Sequence, residues 1–266
     1  MARRRQRRSR KRGGLGAPVL GATLIVAALA AFGTIGWFLV QEARKPGIDA
    51  ASLCPEDGAR GHLAFLLDTT DPVSQTQLRA ARSRITALIN AAPDFTRVSF
   101  ATVSPDAGVR AGAFRSLCKP PSDASALTAN PRLVAETYRT AFLSPMEAQL
   151  DALLAIPEAP ASPIIEALQE FLVTIPGFDA GPRHVVLISD LVQHSDTFSF
   201  YRGGDWDSFR NGGGTTRLAR SLDGADVSIL RLPRPAAPRD TVDDFWVRYL
   251  DAQGAARVRP TTLGDL

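Results

Sequence analysis

The chain has 266 residues, 45% of them hydrophobic, with 31 Lys and Arg against 27 Asp and Glu, two Cys and three His. That length gives one or two domains with room for a core, and the composition excludes a collagen, a disulfide-dense mini-protein and a fully disordered chain. The net charge of +4 is unevenly placed: residues 1–12 (MARRRQRRSRKR) carry eight Lys/Arg and no acid, and taking those eight from 31 leaves 23 bases against 27 acids, a net of −4. The basic surplus belongs to the tail, which sets aside a nucleic-acid-binding domain.

The tail leads into 26 uncharged residues, Leu15 to Val40. About 20 apolar residues cross a bilayer core, so this stretch is long enough to span with some tilt. Positive charges before it predict a cytoplasmic N-terminus and an exported remainder, with Trp37 and Phe38 at the outer interface. A cleavable signal peptide ending at Ala28-Leu29-Ala30 is the rival, but the apolar run continues ten residues past that site. The anchor reading is preferred. It puts Cys54 and Cys118 in an oxidising compartment, where paired cysteines form a disulfide. The chain then divides into a basic cytoplasmic tail (1–13), a transmembrane anchor (14–40), a linker (41–60) and one domain (61–266).

Within the domain, strand and helix patterns alternate. His62–Leu67 is a short apolar run ending at Asp68, the pattern of a buried strand. Ser74 and Gln77 form a capping-box signature for a helix reaching about Asn90. Arg97–Val103 and a shorter Phe114–Cys118 are further strands. Helices are expected from Pro131, from Ser144-Pro145 and from Ser162-Pro163, each with a polar cap or an early Pro. His184–Ser189 is the clearest buried strand and ends at Asp190; Asp226–Leu232 follows, then a helix over Thr241–Ala252 and a last short strand near Val258. This alternation predicts an α/β fold, a doubly wound and mostly parallel sheet flanked by helices. Ligands in such folds bind beyond the carboxyl ends of the strands, where Asp68 and Asp190 stand.

Two acids at neighbouring strand ends, with hydroxyls from nearby loops, suit a hard divalent cation. The sequence offers Asp68-Thr69-Thr70-Asp71-Pro72 after the first strand, Ser162 at a helix start, and Asp190 in LISDL. On these residues the chain resembles the von Willebrand factor A-like family over roughly 61–255. That family's first strand ends in D-x-S-x-S, a later loop gives Thr or Ser, and a further strand ends in Asp. The resemblance implies Mg²⁺ or a similar divalent cation held by Asp68, Thr70, Ser162 and Asp190, with one position open to a partner's carboxylate. Pro72 departs from the pattern, having no hydroxyl where the family has its second one; Asp71 or Ser74 would have to compensate. Read from the residues alone, Asp68 and Asp190 are equally strand-end acids capping the following helices, and Ser162 and Ser144 are both cap candidates.

Enzymatic readings find less support. The chain has no G-x-S-x-G elbow and no P-loop, and Thr70 stands where a haloacid-dehalogenase-type phosphatase needs its second carboxylate. A metal-dependent hydrolase would have to use the same acids with His194 as base. His62 and His184 lie on strands and are read as structural. Residues 194–216, directly after Asp190, are too long and irregular for an ordinary crossover. His194, Tyr201, Arg202, Trp206 and Phe209 in that segment are the expected protein-binding rim, with aromatics folded onto their own domain as the other reading. The expected function is a membrane-anchored, non-enzymatic domain binding a protein partner outside the cytoplasm. A metal-free scaffold subunit of an envelope assembly is the further alternative.

Overall fold

The computed structural model describes residues 16–43, 46–122, 130–217, 222–234 and 239–263. Two units result, the first ending at Gly47 and the second spanning Ile48–Leu266. The basic tail lies outside the described residues. The expected anchor falls on α1 (Gly16–Ala43), a 28-residue helix whose side chains are described only from Ile25 onward. Among the described residues no helix is long and apolar enough to cross a membrane. The described apolar side chains of α1, including Ile25, Leu29, Phe32, Trp37 and Phe38, are all exposed.

In the second unit the runs GHLAFLL and RHVVLIS, too short for core helices and rich in β-branched and large apolar residues, form adjacent parallel strands β1 (Gly61–Leu67) and β4 (Arg183–Ser189). In chain order the other elements are α2 (Gln75–Ala91), β2 (Thr96–Thr102), α3 (Ala107–Ala113), β3 (Arg115–Cys118), α4 (Pro131–Thr137), α5 (Ser144–Leu154) and α6 (Ile164–Thr174) before β4. After it come α7 (Trp206–Asn211), α8 (Gly214–Arg217), β5 (Asp226–Arg231), α9 (Arg239–Ala252) and β6 (Arg257–Thr262). The sheet runs β3-β2-β1-β4-β5-β6. All pairs are parallel except β2 with β3. This is the expected doubly wound α/β fold; the short edge strand β3 is antiparallel because it returns directly from α3 rather than through a full crossover.

Alternation along the strands divides the core into two layers. Ala64, Leu66, Val185, Leu187 and Ile229 face α6 and α9, while Leu63, Phe65, Phe100, Val186 and Ile188 face α2 and α5. Ser74 and Gln77 make the reciprocal capping box on α2. The other proposed caps are used differently. α5 continues from a six-residue π-helical stretch, Tyr138–Leu143, so Ser144 is an interior residue rather than a cap. α6 starts at Ile164 with no side-chain cap from its N-cap residue Pro163, and the Gln193 side-chain oxygen accepts from the Ile165 N–H instead (2.9 Å). The hydroxyl of Ser162 is thereby left for another partner.

Cys54 and Cys118 are bridged, with Cα atoms 4.9 Å apart. The bridge lies at the amino ends of the strands: Cys118 pairs with Arg97, the Cys118 N–H donates to Ser52 O, and the Arg60 N–H donates to Phe95 O. The linker therefore enters this unit at the end of the sheet opposite Asp68 and Asp190.

Candidate functional site at the strand ends

β1 and β4 run side by side, so their carboxyl ends deliver Asp68 and Asp190 to the same edge, both buried. Asp68 is saturated with donors. Thr70 gives it an N–H (3.2 Å) and its hydroxyl (2.6 Å) on Oδ1, and the Ser162 (3.0 Å) and Ser189 (2.7 Å) hydroxyls donate to Oδ2. Four donors offset the cost of burying the carboxylate. Ser189 in turn accepts from the Leu191 N–H at 2.8 Å. Leu191 has φ of 67°, a left-handed conformation that a branched side chain adopts only when its surroundings impose it. Its carbonyl is held by the Trp246 indole N–H at 2.8 Å. This sharp turn aims Asp190 out of the sheet edge.

Asp190 accepts from the Val192 N–H on Oδ1 (2.8 Å) and from Arg234 Nε on Oδ2 (2.7 Å). The same guanidinium lies 3.5 Å from Asp71; burial lowers its pKa from the ordinary arginine value, and the field of Asp68 opposes this. Burial first, then repulsion from Asp68, pushes the Asp190 carboxyl up to about 7; the Val192 N–H opposes this. The native state therefore holds a proton that the unfolded chain has released between about pH 4 and pH 7, and the stability this gives is lost as pH rises through 7. The full separation from 3.8 corresponds to about 4 kcal/mol, part of which the Arg234 contact returns. Asp190→Asn, which resembles the protonated form, should gain melting temperature over the parent as pH rises from about 5 to about 8. A difference between the two that stays flat over that range would mean that Arg234 keeps Asp190 ionised throughout.

The four expected metal ligands thus converge, Asp68 with Thr70 and Ser162 directly and Asp190 at the adjoining strand end. Their arrangement does not fit a divalent cation as it stands. Pro72 supplies no hydroxyl, and the guanidinium of Arg234 already holds Asp190 Oδ2. Thr69 Oγ1, next to Asp68 in the chain, is buried without a hydrogen-bond partner among the described residues. An ion on Asp190 Oδ2 would sit within about 5 Å of the guanidinium, where a +2 and a +1 charge repel by roughly 7 kcal/mol at an effective dielectric of ~20.

The segment after Asp190 is zipped to the same site, since Ser162 and His194 exchange both backbone hydrogen bonds at 2.9 Å. The His194 ring is 2.7 Å from Ser199 Oγ through Nδ1 and stands edge-on to Tyr201. Tyr201 is 65% exposed; partial desolvation, with the fields of Asp190 and Asp68 added, raises its phenol pKa. Arg202 is exposed and donates to the carbonyls of Ser195 and Asp196. These three residues form a rim. Phe209 does not: it is buried with Phe198 and Phe200 around Phe245 of α9, and Trp206 packs half-buried on the same ring. Apolar area is better buried against α9 than left on a loop. Close approach makes this possible: a Cβ on Gly204 would come 2.6 Å from the Phe198 ring.

Sequence reasoning missed Ser189, Leu191 and Arg234. Ser189 was hidden as the last residue of a strand. Arg234 had a weak signal, a lone cation between two prolines just past the end of the next strand.

No protein-family profile matches the chain, and no curated protein matches it. Among solved structures it is similar to an aerotolerance-related membrane protein from Bacteroides fragilis (13% identity, TM-score 0.39, 74% of this chain and 90% of that one). It is also similar to the conserved hypothetical protein BatB from Bacteroides thetaiotaomicron (13%, 0.36, 76% and 90%). The VWA domain of SpRpn10 is a third (10%, 0.38, 78% and 91%). At these scores the likenesses carry no argument, and the fold rests on strand order and direction. On those grounds, a mostly parallel six-stranded sheet with helices on both faces and acids at the ends of β1 and β4, the second unit has a von Willebrand A-like fold.

Proposed function

We propose that the chain is a membrane-anchored protein-binding domain held outside the cytoplasm, with the strand-end face as its contact surface. The observation that carries this reading is polarity of the unit. The linker is tied by Cys54–Cys118 at the amino ends of the strands, while the buried acid network and its rim of half-buried His194 and exposed Tyr201 and Arg202 stand at the carboxyl ends. Chain entry at the amino ends of the strands keeps residues 48–60 off the carboxyl-end face. The 26-residue uncharged span after eight positive charges supports the anchor and its orientation. The disulfide supports an oxidising compartment.

Two measurements test this. A reporter active only outside the cytoplasm, fused after Leu266, should be active, and activity of a cytoplasm-only reporter there would reverse the orientation. A photo-crosslinking residue at Tyr201 of the full chain in its own membranes should give a discrete adduct, while one at the exposed Val247 of α9 should not. Equal labelling at both positions, or none at Tyr201, would remove this face as the contact surface.

A further inference from the structure

We propose that Arg234 is the built-in cation of the strand-end site, holding the Asp190 carboxyl that the resemblance gives to a divalent metal and closing the site to one. Its delivery is fixed by the sheet. β5 pairs with β4 so that Arg231 lies opposite Ser189, and the Leu232 N–H donates to Ser189 O at 2.9 Å. The next two residues therefore leave the sheet beside Asp190. Arg234 lies between Pro233 and Pro235 in the sequence, and a proline's fixed φ narrows the paths that such a loop can take. The side chain spans two acids, with Nε 2.7 Å from Asp190 and Nη2 3.5 Å from Asp71. A guanidinium cannot be deprotonated in a protein, so its charge is permanent and needs no supply of ion.

The missing hydroxyl at Pro72 agrees with this. Without that ligand a metal site is weaker, whereas an arginine, which brings donors rather than requiring them, loses nothing by it. With the cation covalently built in, the site has no open coordination position, and a partner needs no carboxylate to complete it. Recognition then falls to the rim of Tyr201, Arg202 and His194. The proposal concerns the cation alone and holds whether or not a partner uses this face, so its test is separate from crosslinking.

The test is a titration of full-length, detergent-solubilised protein with Mn²⁺, followed by the spin-resonance signal of free ion, beside melting temperatures in chelator and in millimolar Mg²⁺. The parent should show no saturable binding and no Mg²⁺-dependent shift. Arg234→Ala, which vacates the space between Asp190 and Asp71, should gain both, and the gain should vanish in the double variant with Asp68→Asn. Arg234→Lys keeps the charge and should behave as the parent, which guards against a general loosening of the loop. Each readout compares one variant with and without ion, so lower stability of Arg234→Ala does not confuse it. Saturable binding by the parent would overturn the proposal, and so would a failure of Arg234→Ala to gain any.

Discussion

Phe245→Ala should cost about 3–5 kcal/mol, the range for removing a buried aromatic from a core. Phe245 is fully buried and is the hub of an aromatic cluster: Phe198 stacks on it, Phe200, Phe209 and Trp206 meet it edge-on, and Trp246 and Tyr249 flank it on the same helix. Four of these rings come from the segment after Asp190, so the substitution should also free that segment. The expected result is a large fall in melting temperature together with faster amide exchange over residues 198–209 than in the parent. A loss below about 1 kcal/mol would mean that the loop does not depend on α9, since that is the size of an ordinary surface change.

Breaking the Cys54–Cys118 bridge should have a comparable effect. The two cysteines are 64 residues apart, and a loop of that length restricts the unfolded chain by about 4 kcal/mol in the loop-entropy model. Cys54→Ser and reduction of the parent should lower the melting temperature equally, and reductant should not affect the variant further. The bridge also has a positional role, because it ties Cys54 to the amino end of the sheet. Two alkylatable thiols in denatured, unreduced protein would show that no bridge exists.

The fold was legible where local pattern and burial coincide. HLAFLL and HVVLIS are both too short for helices and too apolar for anything but buried strands, and each ends in an acid, so β1, β4 and the convergence of Asp68 with Asp190 followed from the residues. The capping box at Ser74 was equally readable because both partners lie within one turn. Ser162 was ambiguous for a physical reason: a hydroxyl before a helix serves a cap or a carboxylate equally well, and only the arrival of Gln193, 28 residues beyond Ile165, frees it for Asp68. The loop aromatics alternate with polar residues whether they point outward or inward, and Phe245 decides it from another element. Arg234 was the hardest, since nothing local says which of 31 cations a parallel sheet will carry to the end of its neighbour.

The most direct test of the account is the Tyr201 crosslink in native membranes, run once in chelator and once in excess Mg²⁺. A rim that works with a built-in arginine should give the same adduct at the same yield in both. An adduct that forms in Mg²⁺ and disappears in chelator would contradict the account, because the contact would then depend on an ion that Arg234 is held to replace.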